Sequence, residues 1–165
     1  MEVNMSTPTI SASAIAKYFI WKAAQEGKKI SNKKLQKLLY YAQAWHLVLV
    51  NRPLFSEDIE AWIHGPAVRS VYVEYKKFGF GLINVDVDKA EIKDIPSIEI
   101  LDEVWSVYGK YDADYLEELT HEEDPWQIAR GNIDEDKSSE NVISLDVMKD
   151  YYSNLLEKEK QQAHG

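Results

Sequence analysis

The run "NKKLQKLLYYAQAWHLVLV", residues 32–50, constrains this chain more than any other stretch, because Leu35, Leu38, Leu39, Ala42, His46 and Leu49 recur at helical spacing on one stripe. Lys33, Lys37, Tyr40 and Gln43 fall mostly off that stripe, and Ser31 stands where a helix N-cap is needed. So long an apolar stripe has to be covered. A preceding helix supplies the first cover: Ser11 caps it, Ala12, Ile15, Ala16, Phe19 and Ala23 share its inner face, and Gly27 stops it. These two helices are the expected centre of the core.

The later elements are shorter. In "EDIEAWIH", residues 57–64, Ile59, Ala61 and Ile63 alternate with Glu60, Trp62 and His64, the pattern of a half-buried strand. Gly65 then turns the chain, Pro66 suits a first helical turn, and Val68, Val71, Tyr72 and Tyr75 form the stripe of a helix ending near Gly79. Ile83, Val85 and Val87 alternate with Asn84, Asp86 and Asp88 and predict a second short strand. Beyond Pro96, Ile98, Leu101, Trp105 and Tyr108 predict a helix stopped by Gly109, followed by a short one carrying Leu116 and Leu119. In "THEEDPWQIARG", residues 120–131, Asp124 is the expected N-cap, Pro125 the first turn and Gly131 the stop. Ser144 caps a last helix with Met148, Tyr151, Tyr152 and Leu155 on its face.

The expected fold is mainly α, of the α+β kind: a compact domain of about six helices with a small two- or three-stranded β element. Residues 1–10 read as a flexible N-terminal tail, 11–156 as the domain with an acidic loop over 131–142, and 157–165 as a frayed C-terminal tail. At 165 residues the chain fits one domain.

With no cysteine, a disulfide framework, a thiolate metal site and a cysteine nucleophile are excluded together. No basic and apolar leader opens the chain, and no apolar run approaches the roughly 20 residues of a membrane span, so the expectation is a cytoplasmic protein without membrane contact. The 19 Lys and Arg against 28 Asp and Glu give a net charge of -9, which disfavours nucleic acid and either favours a basic protein partner or serves solubility alone.

Histidines and carboxylates are the remaining chemistry. His46 lies on an apolar stripe and reads as a core histidine satisfied by a hydrogen bond, while His164 falls in the expected tail. His64 ends a strand where a helix N-terminus could hold an anion, although no Ser or Lys of a phosphate loop accompanies it. His121, Glu122, Glu123 and Asp124 put an imidazole beside three carboxylates, yet no HExxH or second His one helical turn away completes a metal site. No nucleophile elbow is present either. Neither catalytic residue nor cofactor is expected. The tryptophans and tyrosines are read either as an aromatic core with polar tips or as a partly exposed interface patch.

Three stretches carry a family resemblance. "LQKLLYYAQAWHL" (Leu35 to Leu47), "RPLFSEDIEAWIHGPAVRSVYVEYKKFG" (Arg52 to Gly79) and "LTHEEDPWQIAR" (Leu119 to Arg130) resemble, in that order, the Panacea domain of the SocA-like antitoxins and of GepA-like phage and mobile-element proteins. Leu35, Lys37, Leu38 and Tyr40 match the first signature, Ala61, Trp62, Gly65, Pro66 and Tyr72 the second, and Thr120, His121, Pro125 and Trp126 the third. Ala67 departs from the valine usual after Gly-Pro. The resemblance implies an antitoxin that neutralises a cognate protein toxin, usually encoded next to it, by protein–protein contact. A variant adds delivery of the toxin to a protease. Some relatives carry DNA-binding segments, and none is expected ahead of residue 11 here. The expected partner-binding residues are Trp62, His64, Gly65, Pro66, His121 and Trp126. The rival readings are a metal-dependent hydrolase using His121, Glu122, Glu123 and His64, and a phage or mobile-element protein that binds a host factor.

Overall fold

A computed structural model describes residues 2–164, with the side chain of His164 outside the described residues. The chain is mainly helical. In order it forms α1 (Ala12–Gln25), α2 (Asn32–Val50), β1 (Glu60–Trp62), β2 (Gly65–Ala67), α3 (Arg69–Tyr75), α4 (Ile98–Tyr108), α5 (Ala113–Glu122), α6 (Asp124–Arg130) and α7 (Leu145–His164). Helix α2 runs through the middle, and α1, α3, α4, α5, α7 and the β2 strand all pack on it. Among the described residues no helix is long and apolar enough to cross a membrane.

The caps read from sequence are in place at three helices. The hydroxyls of Ser11, Ser31 and Ser144 accept from the amides of Ala14, Lys34 and Val147 at 3.2, 3.1 and 3.3 Å. Asp112 does the same for α5, accepting from Tyr115 at 2.8 Å. At α6 the expected cap moves by one residue: Glu123 holds the cap position, Asp124 opens the helix, and Pro125 stays in the first turn. The Glu123 carboxylate accepts from Tyr41 in the core and makes no cap bond to the helix amides.

Around α2 the structure corrects the one-stripe expectation. Lys37, Tyr40 and Gln43 are buried along with the leucines, whereas Leu49 is 58% exposed. Over residues 35–44 the helix is enclosed on every side and has no solvent face, so its polar side chains there must find partners inside. Gln43 donates to the Phe55 carbonyl at 2.9 Å and accepts from the Leu54 amide at 2.6 Å. Gln36 donates to Asn32 Oδ1 at 2.9 Å and accepts from the Val68 amide at 2.8 Å. His46 is a core histidine as expected, with Nδ1 2.7 Å from the Arg52 carbonyl and Nε2 3.2 Å from Ser97 Oγ.

The sheet also differs. β1 pairs antiparallel with β2, in the register Glu60 with Ala67, Ala61 with Pro66 and Trp62 with Gly65. Pro66 is therefore a strand residue, and the helix expected to begin there starts at Arg69. The predicted strand over Ile83–Val87 does not form; the one bridge here is isolated and lies just before it, between Leu82 and Ser31. Its alternation reported burial correctly, with Ile83 buried and Asn84, Asp86 and Asp88 exposed, but no neighbouring backbone extends the ladder. A bridge of Glu60 with Val142 flanks β1 on its other edge. At the chain start Val3 is buried, its amide donating to Asp146 Oδ1 at 3.1 Å, and α7 continues through residues 157–164.

Rings bind α7 to α2. Tyr41 stacks on Tyr108 at 3.8 Å, and Tyr152 meets Tyr40 and Tyr41 edge-on. Glu123 Oε1 accepts from the Tyr41 hydroxyl at 2.7 Å and lies 2.9 Å from that of Tyr152. Burial outweighs these bonds and pushes the Glu123 carboxyl up from 4.5 to about 7. A carboxyl that binds its proton more tightly in the folded state contributes stability present below about pH 4.5 and lost as pH rises through about 7. Glu123→Gln keeps the acceptor and removes the ionisation. Urea unfolding at pH 5 and pH 8 should show the variant gaining on the wild type by on the order of 1–3 kcal/mol at the higher pH; an equal difference at both values contradicts a buried, high-pKa carboxyl.

Candidate functional site

The three signature stretches meet in space. β1 and β2 form a hairpin whose tip is Ile63 and His64, and the closing residue Gly65 has φ +104°. A Cβ at Gly65 would lie 2.6 Å from Lys37 Cε and 3.0 Å from Thr120 Oγ1, so only a glycine admits both neighbours. Lys37 passes beneath it and donates from Nζ to the Pro66 carbonyl at 3.1 Å. Thus α2, the hairpin and α5 converge at one contact. Burial lowers the Lys37 ammonium from 10.5 to about 7, against the opposing pull of the Glu117 carboxylate.

The third stretch wedges under the hairpin from the other side. Trp126 is 1% exposed and donates from Nε1 to the Trp62 carbonyl at 2.7 Å. The His121 ring stacks on one indole face at 3.9 Å, and the Arg130 guanidinium lies 4.7 Å from the ring centroid. Arg130 in turn donates to the carbonyls of Ala61 at 3.0 Å, Asp134 at 2.7 Å and Lys137. It thereby ties the acidic loop to β1. Burial lowers the His121 imidazole, whose Nε2 meets no hydrogen-bond partner among the described residues.

The four residues of the expected metal cluster diverge. His121 turns to Trp126, Glu123 to the tyrosines, and Glu122 and Asp124 to solvent. His64 meets Glu117 at 3.2 Å, not that cluster. Among the described residues no three His, Asp or Glu side chains are placed to hold a metal ion.

Above the buried contact opens a cleft of about 430 Å³, lined by Trp62, His64, Tyr72, Phe80, Lys33 and Asp114 among others. Trp62 is half-buried: Nε1 donates to Glu60 at 2.8 Å, Tyr72 meets the ring edge-on at 4.9 Å, and Arg69 lies over it at 5.3 Å. Arg69 is held by Glu60 at 2.7 Å and Glu140 at 2.9 Å. Lys33 pairs with Asp114 at 2.8 Å and with Glu117. Phe80, between Gly79 and Gly81, is fully exposed. An aromatic wall beside mixed charges suits the docking of a polypeptide segment better than bond chemistry.

Of the six residues expected at a partner site, Trp62 and His64 reach the cleft surface. Gly65, Pro66 and Trp126 are buried beneath it, and His121 is half-buried against Trp126. Sequence reasoning missed Phe80, Glu117 and the burial of Lys37. Of these only Phe80, an aromatic residue between two glycines, carried a local sign.

Substitution should separate the buried layer from the surface. Gly65→Ala is expected to cost on the order of 2–3 kcal/mol through its positive φ and the Lys37 clash, and Trp126→Ala about 3–5 kcal/mol. His64→Ala should stay within about 0.5 kcal/mol. Urea unfolding reads all three, and a neutral Gly65→Ala contradicts the close packing.

Comparison with known proteins gives the family. The family model described as Antitoxin SocA-like, Panacea domain matches residues 35–127, a span that starts on α2 just before Lys37 and ends just after Trp126. Antitoxin SocA of Caulobacter vibrioides (strain NA1000 / CB15N) is 44% identical over 64 residues, covering 39% of this chain and 34% of that protein. The match thus spans about a third of the relative's length. No solved structure matches the chain. A match over more than half of the chain, enclosing the contact of Lys37, Gly65 and Thr120, places it: the chain belongs to the SocA-like antitoxin family and carries its Panacea domain.

Proposed function

We propose that the chain is an antitoxin that binds and neutralises a protein toxin by direct contact, with Trp62, His64 and Phe80 on the contacting face. Family membership supports the antitoxin role. The observation that carries the contact is the cleft: its floor is fixed by buried family residues, while its rim exposes Phe80 fully and leaves Trp62 and His64 open. Aromatic groups on a rigid support lose little entropy on binding and dominate protein interfaces. The hydrolase alternative has no comparable support, since His121 and the three carboxylates after it point apart.

Co-expression with the products of adjacent genes tests the role. One of them should arrest growth alone and be rescued by this chain; if none does, the antitoxin reading fails. The double variant His64→Ala, Phe80→Asp should lower affinity for that toxin by about tenfold or more, with an unchanged melting temperature because both side chains are exposed. Wild-type affinity of the variant excludes this face. An unchanged toxin half-life in cells removes delivery to a protease while leaving neutralisation by contact, and recovery of a host protein in place of a toxin favours the host-factor alternative.

A further inference from the structure

A second surface lies at the far end of α2. The apolar stripe of that helix outruns the core, leaving Leu49 58% exposed and Trp45 half-buried on the floor of a groove of about 290 Å³. Helix α4 supplies one wall with Val107, 43% exposed, and α7 the other with half-buried Leu156. Trp45 is locked in place, donating from Nε1 to the Tyr108 hydroxyl at 2.9 Å and packing 5.5 Å from the Tyr152 ring. The floor is preformed.

Two carboxylates flank this apolar strip, Glu103 on α4 and Glu159 on α7, both exposed and neither in an ion pair among the described residues. We infer that the groove seats an amphipathic helix of a basic partner protein, its apolar face on Trp45, Leu49, Val107 and Leu156 and its flanking Lys or Arg residues on Glu103 and Glu159. A helix fits because floor and walls are themselves helices, so an incoming ridge of side chains completes helix packing. A second copy of the chain fits poorly, since it carries a net charge of -9 and would bring the same carboxylates against these. The inference rests on the toxin-binding reading and assigns the helix to the toxin. Lys33 and Leu49 are separated by about 24 Å along α2, so the groove adds a contact distinct from the cleft.

The probe is a Leu/Lys amphipathic helical peptide, with a Leu/Glu counterpart, titrated into the methyl-labelled full chain and followed by NMR. The Leu/Lys peptide should shift the methyls of Leu49, Val107 and Leu156 and bind at least about tenfold more tightly than its counterpart. Glu103→Lys with Glu159→Lys should reverse that preference, and Leu49→Glu with Val107→Glu should abolish binding without lowering the melting temperature. Equal binding of both peptides, shifts centred elsewhere, or the same shifts from raising protein concentration alone overturns the groove. The co-expressed toxin separates this from the antitoxin reading. If Leu49→Glu with Val107→Glu still neutralises it fully, the assignment of the toxin helix to the groove fails while the antitoxin role stands; if no adjacent toxin exists, that role fails whatever the peptides do.

Discussion

A lysine ammonium held under a glycine organises this fold. Lys37 leaves the central helix, passes beneath Gly65 and ends on the Pro66 carbonyl, so the hairpin can take no side chain at its closing residue. Burying an ammonium costs several kcal/mol unless the site supplies compensation, and here the Pro66 carbonyl and the nearby Glu117 carboxylate offset only part of it. That cost is accepted where α2, the hairpin and α5 meet at Gly65, and Trp126 closes the far side of the same hairpin. The family signatures are therefore one packing unit, separated in sequence and joined through Lys37, Gly65 and Trp126.

Electrostatics inside the core oppose one another. Glu123 is pushed up to about 7 and Lys37 down to about 7, each mainly by burial. For Glu123 the folded state binds the extra proton between 4.5 and about 7, so its contribution falls as pH rises across that window. For Lys37 the unfolded state binds the extra proton between about 7 and 10.5, so its contribution rises with pH there. Together they favour the fold least near neutrality. Such groups persist where they fix geometry: Glu123 joins α2 to α7 through Tyr41 and Tyr152, and Lys37 joins α2 to the hairpin.

Much of the fold was legible because local rules govern it. Ser11, Ser31 and Ser144 cap the helices they precede, and Gly27 and Gly79 follow helical segments with positive φ. The failures occur where tertiary surroundings overrule a local pattern. Periodicity on α2 assumes a solvent face, so it placed Lys37 and Gln43 outside and Leu49 inside. Pro66 suits a helix start as well as an edge strand, and only the pairing of Ala61 across the hairpin decides between them. In the site, depth was not readable: Trp126 donates to the Trp62 carbonyl, yet nothing local distinguishes the half-exposed indole from the buried one.

Scaffold and proposed contact surface are thus different sets of residues. Lys37, Gly65, Thr120 and Trp126 hold the frame, and the side chains free to meet a partner stand on its rim or beyond its far end. The division depends on Lys37 being withdrawn from water. Its titration can be followed directly by NMR of the labelled side-chain amine. A midpoint near 7 is the expected result, because burial lowers the ammonium to about that value; a midpoint near 10.5, the ordinary lysine value, would show a hydrated ammonium and contradict the convergence of the three signatures on it.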